Sequence, residues 1–217
     1  MNKIFTGFDL KIIAILAMTI DHIGAVFFPH IIALRIIGRL TVPILTFLIA
    51  EGYYHTKSKN KYLLRIFLFA LISQIPYGLL WNNLNILFNY ALILSMVRIW
   101  EYYKDKAIAV SLILLLIPFT LFCDWTWYLT LFVLVFMIFR NSIFKKTIFF
   151  LIVVAIILIH NIILAKSIYI LLATTGLIAS IPFIYLYNGE RGKSLKYLFY
   201  IFYPLHLIIL YLIKTAI

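Results

Sequence analysis

The side chains best equipped for chemistry lie between Asp9 and Arg65, in DLKIIAILAMTIDHIGAVFFPHIIALRIIGRLTVPILTFLIAEGYYHTKSKNKYLLR. There Lys11, Asp21, His22, Arg35, Arg39 and Glu51 interrupt two segments otherwise apolar enough to cross a bilayer. A charged side chain at the centre of a membrane helix costs roughly 2.5–3.5 kcal/mol on insertion scales, so such groups are kept where they line a water-accessible functional site. A histidine among them can serve as a general base. The same layer of buried charge also suits a proton-coupled carrier, and Asp21 with His22 also reads, less favourably given the cost of intramembrane charge, as a polar pair bonding across helices for packing. A metal is not expected, because no HExxH or Cys/His ligand spacing occurs and there is one cysteine, Cys123.

The elements that position these groups are helices. Of 217 residues, 65% are hydrophobic and 12% charged, whereas soluble domains run at roughly 45–50% and about 25%. Apolar runs of about 20 residues recur with short polar breaks, which excludes a membrane barrel of alternating segments of about 10 residues. The chain is predicted to be an all-α polytopic bundle forming one domain, residues 1–217, with nine transmembrane helices. They fall near 8–28, 31–54, 61–80, 84–103, 106–122, 125–140, 146–165, 167–187 and 195–214, the fifth and sixth being short. The net charge of +12 sits in alternate breaks, which argues against nucleic acid. Lys57, Lys59, Lys61 and Arg65, then Arg98, Lys104 and Lys106, then Arg140, Lys145 and Lys146, then Arg191, Lys193 and Lys196 mark one face. By the positive-inside rule the N-terminus is cytoplasmic and, after nine spans, the C-terminus outside. The first apolar segment carries Lys11, Asp21 and His22 and is expected to stay as a helix rather than be cleaved.

A rise of about 1.5 Å per residue then assigns depth. His22 falls about 9 Å, Arg35 about 6 Å and Arg39 about 12 Å below the outer surface, so His22 and Arg39 share a level. Arg35 and Arg39, four apart, point the same way. Asp21 and His22 diverge by about 100°, which makes Arg35 or Arg39 the expected partner of Asp21. His206 falls near the middle to outer half of the last helix and is either a third member of this set or a satisfied core histidine. Gln74, Asn85, Asn89, Asp124 and Tyr203 form an expected outer polar layer facing a substrate. At the inner end Glu51, Tyr53, Lys61 and Arg65 form a cationic mouth with Lys11 nearby. Glu51 also reads as a helix-end charge, Lys11 as a snorkelling anchor and the basic loop as a topology signal.

GRLTVPILTFLIAEGYYHTKSKNKYLLR, with MTIDHIG before it and YNGERGKSLKYLFYIFYPLHLIIL near the end, closely resembles the TraX family, membrane proteins associated with acetylation of a conjugative pilin subunit. Lys11 and His22, with ten residues between them, are similar to the R-x10-H arrangement of the acyltransferase-3 superfamily with Lys in place of Arg. VPILTFLIAEGY is similar to its V-P-x-F-F-x-x-S-G-[FY] segment, with Glu51 in place of Ser. The resemblance implies a bacterial inner-membrane acetyltransferase using acetyl-CoA, with His22 as base. The acceptor would be a pilin or other peptide amine, or a glycan hydroxyl at the cell surface. On this reading Arg39 and Arg35 stabilise the oxyanion, Asp21 holds them, and Lys11, Glu51, Tyr53, Lys61 and Arg65 serve the donor. A proton-coupled transporter is the rival class, disfavoured by the lack of an internal repeat, and a non-catalytic assembly partner is a third reading.

Overall fold

Caps and breakers in the sequence set the helix boundaries. In the computed structural model, which describes residues 3–194 and 196–217 apart from the side chains of Lys196 and Leu198, α1 spans Gly7–Phe27. Its capping box pairs the Thr6 side chain with the Asp9 backbone and the Asp9 carboxylate with the Thr6 N–H. The predicted second span is divided into α2, Ile32–Gly38, and α3, Thr41–His55, with a turn at Arg39 and Leu40. Pro43 supplies the physical reason: it has no N–H to bond the carbonyl of Arg39, so the helical ladder is interrupted where Arg39 sits. Helix α4, Lys59–Gly78, starts on a Ser58 cap, and α5, Ile86–Tyr102, on an Asn85 cap. Then come α6, Lys106–Leu116, with a 3₁₀ turn over Ile117–Phe122, α7, Tyr128–Ile138, and α8, Ile143–Ile163. The eighth predicted span is likewise broken, into α9, Ile168–Thr175, a 3₁₀ turn over Gly176–Ser180, and α10, Ile181–Tyr185. Helix α11, Lys196–Ala216, closes the fold.

The described residues thus form nine helical runs in an all-α protein. Five are long and apolar enough to cross a membrane: Gly7–Phe27, Ile32–His55, Ile143–Ile163, Ile168–Tyr185 and Phe199–Ala216. This is the build of a multi-pass membrane protein. The fifth and sixth predicted spans are separate helices of modest length, divided by a turn in which Trp125 and Thr126 take positive φ.

Helices α1, α3 and α7 contribute to both apolar clusters and so form the middle of the bundle. One cluster joins Leu10, Ile44, Phe47, Phe132 and Phe136 to α8; the other joins Met18, Val42, Tyr90 and Leu129 to α4 and α11. Apolar burial alone does not hold helices together in lipid, so close backbone approach and polar ties matter. A Cβ on Gly38 would lie 2.2 Å from the Asp21 carboxylate, and one on Gly176 would lie 2.3 Å from the Ile36 carbonyl. Only glycine lets α2 fit between α1 and the 3₁₀ turn over 176–180. The N-terminal segment also meets the turn before α11: Phe5 pairs with Tyr187, Gly7 N–H donates to Glu190 O at 2.7 Å, and Asn188 N–H donates to Phe5 O at 2.9 Å.

Candidate active site

A cavity of about 880 Å³ runs between the two ends of the bundle. At one end it is lined by Lys11, Glu51, Arg65, Arg191 and Lys193, and at the other by Asp21, His22, Arg35, Arg39, Trp81 and Asp124. Along α1 the eleven steps from Lys11 to His22 rise about 16 Å.

At the far end, α1 and α11 bring two histidines together. His206 Nδ1 lies 2.9 Å from the Phe202 carbonyl oxygen one turn earlier. A carbonyl only accepts, so His206 carries its proton on Nδ1 and presents the Nε2 lone pair. That nitrogen is 2.8 Å from His22 Nδ1. His22 Nδ1–H therefore donates to His206, and His22 Nε2 is left with a free lone pair. Of the two, His22 lines the cavity and His206 stands behind it, 5% exposed. The Trp81 ring packs beside His22 at 5.1 Å between centroids.

The two arginines differ in what they touch. Arg35 is spent on Asp21: its Nη1 lies 3.0 Å from Asp21 Oδ2 and donates to the Asp21 carbonyl at 2.9 Å. Arg39 lies over the Trp125 ring at 5.0 Å, and among the described residues it has no carboxylate within ion-pairing distance. Its guanidinium lines the cavity with donors to spare. Asp124 lines the same end, in the turn between helical runs. Burial pushes its carboxyl up to about 6, against the pull of the Arg39 charge.

Several predicted side chains stand elsewhere. Gln74, Asn85 and Asn89 do not reach the cavity; they tie backbone turns into place. Gln74 donates to Asn83 O, Asn85 donates to Ala70 O and Gln74 Oε1, and Asn89 Nδ2 donates to the carbonyls of Asp124 and Thr126 at 2.9 and 2.8 Å. Buried turns need such partners for their carbonyls, so the polar layer splits into scaffolding and two cavity residues, Asp124 and Tyr203. Tyr53 is 1% exposed and donates to Glu101 at 2.9 Å, away from the cavity. Lys61 is exposed and outside the lining, while Arg65, expected on the same helical face, turns inward and donates to Tyr200 at 3.2 Å. Glu51 lines the cavity, yet both its oxygens are held by Arg140 at 2.9 and 3.2 Å. Lys11 lines the mouth, its ammonium 5.2 Å from the Phe199 ring centre.

Sequence reasoning missed Arg191 and Lys193 as site residues, together with Tyr77, Trp81 and Trp125. The signal for the first two was the basic loop itself, which local pattern does not link to α1. Among the described residues, no group of three or more His, Cys, Asp or Glu converges to hold a metal.

The family model described as TraX protein matches residues 7–214. The chain is 30% identical over 233 residues to a protein of Dichelobacter nodosus named probable fimbrial assembly protein FimC, serogroup H1, with 96% of each chain covered. It is 38% identical over 74 residues to the uncharacterized protein RP591 of Rickettsia prowazekii (strain Madrid E), covering 34% of this chain and 28% of that one. No solved structure matches.

Proposed function

This chain belongs to the TraX family, and on that premise we propose that it is an acetyl-CoA-dependent membrane acetyltransferase. The acceptor is the amine or hydroxyl of a substrate outside the cytoplasm, a pilin or peptide N-terminus foremost, since the similar Dichelobacter nodosus protein is named for fimbrial assembly. The observation that carries the reading is the ordered pair His206 and His22, which leaves one imidazole nitrogen free beside a cavity that also holds the unpaired Arg39. The cationic mouth and the elongated cavity fit a donor with an anionic head and an extended arm. The chain sits in a bacterial inner membrane with its basic breaks, and hence the mouth, toward the cytoplasm.

In the reaction His22 Nε2 takes the proton of the acceptor as its nitrogen or oxygen bonds to the thioester carbonyl carbon. Arg39 donates hydrogen bonds to the oxygen on which negative charge develops. Arg35, neutralised by Asp21, keeps that carboxylate from competing for Arg39. As the C–S bond breaks, His22 returns its proton to the departing sulfur, so the imidazole ends neutral and CoA leaves as the thiol. His206 positions His22 throughout, fixing the tautomer without touching substrate.

The test is transfer of labelled acetyl from acetyl-CoA to a pilin N-terminal peptide by the purified chain in nanodiscs. His22→Ala should abolish transfer while the protein remains folded. Near-wild-type turnover by that variant overturns the assignment. A wild-type protein that neither binds nor hydrolyses acetyl-CoA but passes solute in liposomes would be a carrier instead.

A further inference from the structure

The loop from Asn188 to Ser194 is fastened to the start of α1 and placed at the cavity mouth. Gly189 and Gly192 hold φ of 87° and 68°, left-handed values that glycine tolerates. A Cβ on Gly192 would meet Thr6 Oγ1 at 2.4 Å, so this contact admits no other residue unchanged. Glu190 N–H donates to its neighbour Asn188 Oδ1 at 2.8 Å, and the Glu190 carbonyl accepts from Gly7 N–H at 2.7 Å. So fastened, the loop lines the mouth with Arg191 and Lys193.

These two join Lys11 and Arg65 in the wall of the same mouth. Arg191 lies within electrostatic range of Lys11, and Lys193 within range of Asp9. The Asp9 carboxylate is already engaged by the Thr6 N–H and hydroxyl at 2.9 and 2.7 Å. Glu51, the carboxylate lining this end, is held by Arg140. None of the four cations forms an ion pair among the described residues, and Arg191 donates to Ser194 Oγ at 3.0 Å. Four like charges around one opening repel each other and draw an anion of opposite charge into it.

We propose that Lys11, Arg65, Arg191 and Lys193 form the binding site for the nucleotide phosphates of the acyl donor, with the 188–194 loop as its outer wall. This deepens the acetyl-CoA reading above and rests on it. Arginine offers paired N–H donors to phosphate oxygens, and lysine adds a compact charge. The basic loop at Lys57 and Lys61, which stands outside the cavity lining, takes no part.

The full chain in nanodiscs is titrated calorimetrically with CoA and with pantetheine, which lacks the nucleotide phosphates. Arg191→Gln with Lys193→Gln should raise the Kd for CoA at least tenfold, about 1.4 kcal/mol, and flatten its dependence on salt. Pantetheine binding should stay the same, which reports that the cavity is still folded. Lys57→Gln with Lys61→Gln should leave the CoA Kd at the wild-type value. An unchanged Kd in the Arg191 and Lys193 variant, or an equal loss in the Lys57 and Lys61 variant, overturns the assignment while the acetyltransferase reading stands. A wild-type chain that binds no CoA overturns both.

Discussion

Replacing His206 with Phe keeps a planar ring against Phe202 and Tyr203, whose centroids lie 5.1 and 5.6 Å from the imidazole, but deletes the acceptor for His22 Nδ1–H. A buried donor left without a partner costs about 1–3 kcal/mol. The His22 ring can escape that cost by carrying its proton on Nε2 instead, which is the atom needed as the base. Either outcome depletes the reactive tautomer by an amount that corresponds to a roughly 10–100-fold fall in kcat. KM for both substrates should change little, because His206 does not line the cavity. The assay is steady-state acetyl transfer in nanodiscs with both substrates varied. His206→Gln, whose side-chain oxygen can accept from Nδ1–H, should recover at least part of the lost kcat. Turnover by the Phe variant within twofold of wild type, or equal impairment of the Gln and Phe variants, would refute the relay.

Gly38→Ala drives a methyl into the Asp21 carboxylate and should lower stability by about 1–3 kcal/mol, read as a lower melting temperature, along with activity; a silent substitution would contradict the close packing of α2 on α1. Glu51→Gln breaks the ion pair with Arg140 and should lower the melting temperature without moving KM for acetyl-CoA, so a raised KM would return Glu51 to the donor site. Asp124 has a folded pKa of about 6, above its unfolded value of 3.8, so its contribution is fully present below the unfolded pKa and is lost as pH rises through about 6. Melting of wild type against Asp124→Asn should therefore favour wild type progressively as pH falls from 7 to 4, by about 2 kcal/mol; a difference flat across that range would contradict the burial.

The all-α build and the approximate helix limits were legible because apolar runs of about 20 residues end in short polar breaks, whereas the division of the second span at Arg39 and Leu40 was not. Depth counting placed His22 and Arg39 on one level, and the structure puts both in one cavity wall. Position around a helix axis was not legible. Arg65 and Lys61 are a turn apart, yet small differences in how α4 is seated turn one inward and leave the other in solvent. Gln74, Asn85 and Asn89 look like substrate groups until the backbone carbonyls they satisfy are in view, and those carbonyls come from turns whose shape no local pattern dictates. Arg191 and Lys193 were hidden for a related reason, since the strand-like contact of Phe5 with Tyr187 joins segments far apart in the chain.

The histidine pair joins residues 184 positions apart, one from the first helix and one from the last. During synthesis the ribosome must therefore have inserted all the intervening helices before the second imidazole arrives. Until then His22 has no partner to order it, and the wall that α11 contributes to the cavity is missing. A nascent chain that ends between α3 and α11 holds Arg35, Arg39 and His22 but not His206. On the proposed acetyltransferase reading, the pairing that orders His22 forms only once α11 has packed against α1.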